Sequence, residues 1–336
     1  MLFAANEEEA MIAQSVASVL AEPEGPERWE KLVALGLTAS TWPEDHGGAG
    51  MGLSAVLPLL IAAGRTAAPE PLIGCAVLPG LALCRAGDAA PTLPEGVLCV
   101  ATQNSLQVAE GRVSGQLKAV IGADLATNVL ACLPDDRLCV LPCDQRAAYR
   151  LVDGRAAADV LLDQAMPNAL GAPVPGLAAW LSDVAATAFA ADALGALLAA
   201  REMTLEYLKN RQQFGRPLGS FQALQHAMVD LYHDTEHFHS LVLLAAHACD
   251  SDDAHLRVRS VAAVKHYLGG RIRRAAANAI QLHGGIGVTE DYALGRLVKR
   301  LLIADMLNGR ADEHTARLAH CIAQETHAHS PQESAP

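Results

Sequence analysis

Apolar residues recur at helical spacing from the start of the chain. Met11, Ile12, Val16, Val19 and Leu20 share one face of a segment rich in helix formers, which predicts a helix over Glu7 to Leu20. Pro23-Glu24-Gly25-Pro26 breaks it. Trp29 to Leu35 predicts a short second helix stopped by Gly36, a residue suited to the left-handed position past a helix end. Pro43 to Gly50 predicts a tight loop, and Leu53 to Ala63 a further helix.

The pattern then changes. Gly96 to Ala101, Leu106 to Val108, Arg112 to Ser114, Ala126 to Cys132 and Arg137 to Leu141 are short β-prone runs. Glu110-Gly111, Ser114-Gly115 and Pro134-Asp135-Asp136 punctuate them as turns, which predicts a small antiparallel β domain of barrel type. Helical periodicity returns over Leu181–Asn210, Phe221–Cys249, Leu256–Leu282 and Leu294–Leu307. Long helices joined by short Gly/Pro loops predict a bundle. The expected class is α+β: an N-terminal helical domain over 1–92, a middle β-barrel domain over 93–175 and a C-terminal four-helix bundle over 176–324. A polar tail over 325–336 completes it.

Charge narrows the partners. The sequence carries 25 Lys and Arg against 37 Asp and Glu, a net −12 that disfavours a polyanionic partner such as nucleic acid or an acidic membrane surface. Aromatic residues are 4% of the chain, too few for a base-stacking platform. The region around 185–200 is the most apolar, but it is Ala-rich and interrupted by Asp192, so no membrane span is expected. The opening MLFAANEEEA has acids where a signal peptide carries bases, so a cytoplasmic protein is expected. Eight cysteines show no C-x-x-C spacing and sit in apolar company, which suits buried reduced thiols.

Several motifs invite chemistry. His233-Asp234-Thr235-Glu236-His237 has the spacing of two zinc ligands on a helix face, but no third ligand is evident, and a solvated or subunit-facing helix surface is expected. Gly47-Gly48-Ala49-Gly50-Met51-Gly52 lacks the spacing and the preceding strand of a dinucleotide fingerprint, so it is expected to be a plain turn. Arg211-Gln212-Gln213-Phe214-Gly215 follows a long helix, and Gln281-Leu282-His283-Gly284-Gly285-Ile286-Gly287 lies between helices, where glycines admit close approach.

In this order, Arg211-x-x-Phe214-Gly215, Phe221-Gln222, Lys265 and Gln281-x-x-Gly284-Gly285-x-Gly287 resemble the C-terminal domain of the acyl-CoA dehydrogenase family. Leu32-x-x-Leu35-Gly36-Leu37 followed by Pro43-Glu44-Asp45-His46-Gly47-Gly48-Ala49-Gly50 resembles its N-terminal segment, so the likeness spans about 28 to 320. The resemblance implies helical, β-barrel and four-helix-bundle domains, FAD bound between subunits, and α,β-desaturation of an acyl-CoA thioester. It also implies electron-transfer flavoprotein as acceptor. On that likeness Arg211 would reach the FAD pyrophosphate of a neighbouring subunit, a task suited to a forked guanidinium. Phe214 would pack on the cofactor, Gln213 and Gln222 would be polar contacts, and Gln281, Gly284 and Gly285 would line the same cradle.

The sequence also departs from the family pattern. Asn308 stands where the catalytic Glu is expected, and a neutral amide cannot accept a proton there. The alternative place for that Glu falls near Ala185 and Ala186, which do not ionise, with Asp183 and Asp192 off register. Asp305, Asp312 and Glu313 are the remaining carboxylates nearby, expected as surface charges. The middle domain is short: the polar run that touches the flavin ring and thioester in the family is not recognisable before Val113 to Lys118, and Lys118 to Asp124 resembles the later part of that domain but lacks its aromatic. These losses resemble the short accessory chain of heterotetrameric bacterial steroid and bile-acid acyl-CoA dehydrogenases, whose partner carries the base. A self-sufficient homo-oligomer using Asp312 or Glu313, and a non-catalytic scaffold, stay open.

Overall fold

The computed structural model describes residues 7–289 and 291–328. Four helices open it: α1 (Glu7–Leu20), α2 (Pro26–Ala34), α3 (Leu57–Thr66) and α4 (Leu78–Ala86). α2 begins earlier than expected, because Pro26 is tolerated in a first turn whose N–H groups have no helical partner. α1 buries Val16, Val19 and Leu20, whereas Met11, assigned to the same face, is 64% exposed. The loop after Pro43 is pinned from afar: the Asp250 carboxylate accepts from the Leu53 and Ser54 amides, each at 2.8 Å.

Eight strands follow: β1 (Leu98–Ala101), β2 (Asn104–Ala109), β3 (Arg112–Ile121), β4 (Asn128–Cys132), β5 (Arg137–Pro142), β6 (Arg146–Arg150), β7 (Ala156–Ala165) and β8 (Ala169–Pro173). They form two four-stranded sheets, β1-β4-β5-β8 and β2-β3-β7-β6. Pairing within them is antiparallel except between β1 and β4, which run parallel, a departure from the expected all-antiparallel domain. Val113, Leu117 and Val160 of one sheet meet Val129, Cys139 and Leu141 of the other in a shared core.

The last part comprises α5 (Leu177–Asn210), the two-residue strands β9 (Gln212–Gln213) and β10 (Arg216–Pro217), α6 (Gln222–Asp250) and α7 (Ala254–Tyr267), then α8 (Arg273–His283), α9 (Leu294–Met306) and α10 (Ala311–Ala328). The single helix expected over 256–282 is divided by a wider, π-helical turn at Leu268–Ile272. α10 runs past Glu325 to Ala328, into the stretch expected as a loose tail, and the rest of that tail lies outside the described residues. α5 is buried nearly all round from Trp180 to Leu197, and α3 crosses it closely: a Cβ on Gly195 would lie 2.0 Å from the Ile61 carbonyl oxygen, and one on Gly64 1.8 Å from that of Asp192. By length and composition α5 and the segment Leu72–Ala89 could cross a membrane, but both are largely buried in the protein's own core.

A buried charge cluster joins the three parts. Asp153 and Arg155, between β6 and β7, pair at 2.6 Å. Arg300 of α9 lies 3.3 Å from Asp153 and 3.6 Å from Asp192 of α5, and it also donates to the Ala68 carbonyl beyond α3. All four side chains are at most 5% exposed.

Candidate functional site

Arg211 ends α5 in an extended conformation, and its carbonyl accepts from Leu218 N at 2.8 Å, closing the base of a hairpin. Gln213 pairs with Arg216, so Phe214 and Gly215 form the tip, with φ of +54° and +77°. Two successive positive φ values suit a tight hairpin turn, but a bulky residue rarely takes one. Phe214 does, and it stands 88% exposed. Phe221 meets it edge-on at 6.0 Å, while the Arg216 guanidinium lies over the Phe221 ring at 4.0 Å. The hairpin therefore packs beneath Phe214 and holds its ring out to solvent.

Beside the hairpin is a shallow groove of about 440 Å³ lined by Met203, Glu206, Tyr207, Asn210, Arg211 and Tyr292. Arg211 makes no ion pair among the described residues. The Tyr207 ring stacks on His283 at 4.7 Å, and Tyr292 approaches His283 at 5.3 Å. His283 is 2% exposed; its Nδ1 donates to the Ala279 carbonyl at 2.8 Å, leaving Nε2 buried with no partner. The turn at Gly284 and Gly285 follows directly. Gly284 has φ +63°, and a Cβ at either glycine would point into open space. The structure thus links Arg211 to the Gly284 turn through Tyr207 and His283. Gln222, at the first position of α6, and Gln281, on α8, are exposed, as is Gln213. The aromatic link was missed from sequence, although Tyr207 lies one turn before Arg211 on the same helix face.

The expected place of the base looks different. Asn308 follows α9 with φ +55° and is 5% exposed. Its carbonyl accepts from His314 Nε2 at 2.9 Å, and its Nδ2 is buried without a partner. Lys265 fixes this turn: Nζ donates to the carbonyls of Ala304, Asp305 and Leu307 at 2.7, 3.2 and 2.7 Å. Burial pushes the Lys265 amine down to about 8, against the pull of Asp305 and Glu313.

The cavity beside Asn308 measures about 10 Å³ and runs between Leu307 and Phe189 of the helices and Thr102, Gln103 and Ala119 of the β part. That volume is about one water probe. No carboxylate lines it. Asp183 is held by Arg257 and Arg317 at 3.2 and 2.8 Å, and Asp192 belongs to the buried cluster. Asp305 is buried near Lys265, while Asp312 and Glu313 are exposed in the first turn of α10. Ala185 and Ala186 are fully buried.

His233 and His237 do share a face of α6, with ring centroids 6.4 Å apart, and His237 Nδ1 lies 3.4 Å from the Tyr267 hydroxyl. Among the described residues, no group of three or more His, Cys, Asp or Glu is arranged to hold a metal.

Residues 177–322 match the acyl-CoA dehydrogenase C-terminal domain and residues 4–90 its N-terminal domain. The chain is 30% identical over 315 residues to acyl-CoA dehydrogenase IpdE2 of Mycobacterium tuberculosis, covering 88% of this chain and 91% of that one. It is similar to a solved Tcur3481–Tcur3483 steroid acyl-CoA dehydrogenase variant: 26% identity, TM-score 0.81, and 96% and 98% of the two chains. The ChsE4–ChsE5 complex from M. tuberculosis shares the fold at 23% identity and TM-score 0.83, over 96% and 99%.

Proposed function

The chain belongs to the acyl-CoA dehydrogenase family, whose cofactor is FAD, and from that premise we propose that it is the cradle-bearing subunit of a heteromeric enzyme. Its partner is a homologous chain that carries the catalytic Glu and the flavin-ring pocket. The substrate is an acyl-CoA thioester with a steroid-type acyl group, a class suggested by the steroid dehydrogenase among the similar structures. Electron-transfer flavoprotein takes the electrons, and the complex works in the cytoplasm.

One observation carries the reading. The two halves of a flavin site fare differently in this chain. The surface around Arg211, Phe214, Gly284 and Gly285 is open and supplies an unpaired guanidinium, an exposed ring and unobstructed backbone. These groups fit the phosphate and adenosine end of FAD. The seam at Asn308 has about 10 Å³ and no carboxylate, which fits neither a flavin ring nor a thioester. When bound, FAD supplies the two-electron acceptor for desaturation. This chain's part is to bind: Arg211 neutralises phosphate charge, Phe214 covers an apolar face, and Gln213, Gln222 and Gln281 offer amide contacts.

Expression with and without a candidate partner tests this. Flavin absorbance and acyl-CoA desaturation are expected only for the co-purified pair. Arg211→Ala is expected to leave the pair assembled but weaken flavin retention 10- to 100-fold, since charged hydrogen bonds contribute about 1.5–3 kcal/mol. A yellow, active protein from this chain alone would instead identify a self-sufficient enzyme. Assembly with flavin content indifferent to Arg211 would identify a scaffold.

A further inference from the structure

A second cavity, sharing no residue with the groove at Arg211, opens where α2, the loop after α3, the β6–β7 hairpin and the start of α9 meet. It measures about 770 Å³. Small-molecule sites span roughly 300–1,000 Å³.

Pro26, Pro69 and Pro71 line the cavity, and three of its acids are locked in ion pairs: Glu70 with Arg28 at 3.0 Å, Glu24 with Arg296 at 2.6 Å, and Asp153 with Arg155 and Arg300. The half-buried Trp29 indole forms an apolar wall, and Leu125 and Val152 stand at the rim 66% and 64% exposed. Of the remaining charges, Glu30 and Asp124 are acids, and Lys299 and Arg150 are bases without an ion pair among the described residues. Arg150 only donates to the Gly154 carbonyl. In a chain with 37 acids and 25 bases, unpaired acids are expected. Two unpaired bases, one from a strand and one from a helix, lining one cleft beside apolar side chains are not.

We propose that this cleft binds a small amphipathic anion: a flat apolar body seated against Trp29, Leu125 and Val152, with a carboxylate, sulfonate or phosphate met by Lys299 and Arg150. Binding would cover the two exposed rim side chains and place an aromatic ligand against Trp29.

The probe is 8-anilinonaphthalene-1-sulfonate, titrated into the full-length chain with excitation of tryptophan and, separately, of the dye. One saturable site is expected, with energy transfer from Trp29. Trp29→Phe should lower the transfer, which Trp42 and Trp180 also feed, while dye-excited binding persists. The double variant Lys299→Glu, Arg150→Glu should weaken binding at least tenfold. Val152→Asp, at an exposed rim position, serves as a second test should the charge reversal impair folding, and it too should weaken binding. Non-saturating binding, affinity unchanged in these variants, or tighter binding of the cationic dye thioflavin T would each overturn the proposal. The measurement needs neither flavin nor partner, so its outcome is separable from that of the cradle.

Discussion

Tyr207 stacks on His283 with ring centroids 4.7 Å apart and planes 27° from parallel, and this stack couples the end of α5 to the turn at Gly284. Aromatic pairs contribute about 0.5–1.5 kcal/mol beyond their buried area. Tyr207→Ala should therefore lower the urea unfolding free energy by at least that much and loosen flavin retention in the complex. Tyr207→Phe should keep both. Equal flavin content in the alanine variant would show that the stack does not shape the cradle.

The buried cluster of Asp153, Arg155, Asp192 and Arg300 should be costly to break from one side. Asp192→Ala leaves Arg300, 1% exposed, without one of its two carboxylates. Breaking a buried pair in this way costs about 3–5 kcal/mol. Chemical denaturation should show the midpoint falling accordingly, and a change under 1 kcal/mol would contradict the assigned burial.

Lys265→Met should strip three carbonyls at the end of α9 of their shared donor. The expected loss is about 2–3 kcal/mol, since carbonyls left buried without a donor are costly. Hydrogen exchange should quicken first around Leu307 and Asn308.

Alkali should unfold the chain more readily than its amine content suggests. Burial is the main force that pushes the thiols of Cys75, Cys132, Cys139 and Cys249 up to about 12 from 9.0. The folded state keeps these protons after the unfolded chain has released them. Their stabilisation is complete below pH 9 and is lost as pH rises from 9 toward 12, at about 1.4 kcal/mol per unit for each thiol. Lys265, pushed down to about 8, acts oppositely and adds stability between there and 10.5. Four thiols outweigh one amine, so urea midpoints should fall between pH 9 and 10. A flat profile would refute the burial of these thiols.

Asn308→Glu should not create an active enzyme. A carboxylate there would enter a cavity of about 10 Å³ beside Leu307 and Phe189. The expected result is destabilisation without acyl-CoA desaturation by this chain alone; turnover would overturn the assignment of the base to the partner.

Long amphipathic helices were legible because their apolar faces repeat with the helical period and their ends carry Gly or Pro. β6, β7 and β8 were not: every residue of β6 is exposed, β7 is Ala-rich and carries Asp159 and Asp163, and β8 contains no β-branched residue. Strand signals depend on alternation and on β-branched side chains, and here both are weak. Arg211 and the Gly284 turn were legible as motifs, because their residue types and order match a family pattern. Their coupling through His283 was not, since it depends on a contact between helices distant in sequence. Asp192 reads in the sequence as an interruption of an apolar run, and only the fold supplies its guanidinium partners.

The meeting of Asp153, Arg155, Asp192 and Arg300 ties the history of the polypeptide together as well as its shape. A gene fragment ending after β8 would part Asp153 and Arg155 from Asp192 and Arg300, and one beginning at α5 would leave Arg300 with Asp192 alone. Neither piece should express as a stable module. Recombination that swapped the β part or the C-terminal helices for a cousin's would have to bring matching charges with it, so those two parts are expected to have been inherited together.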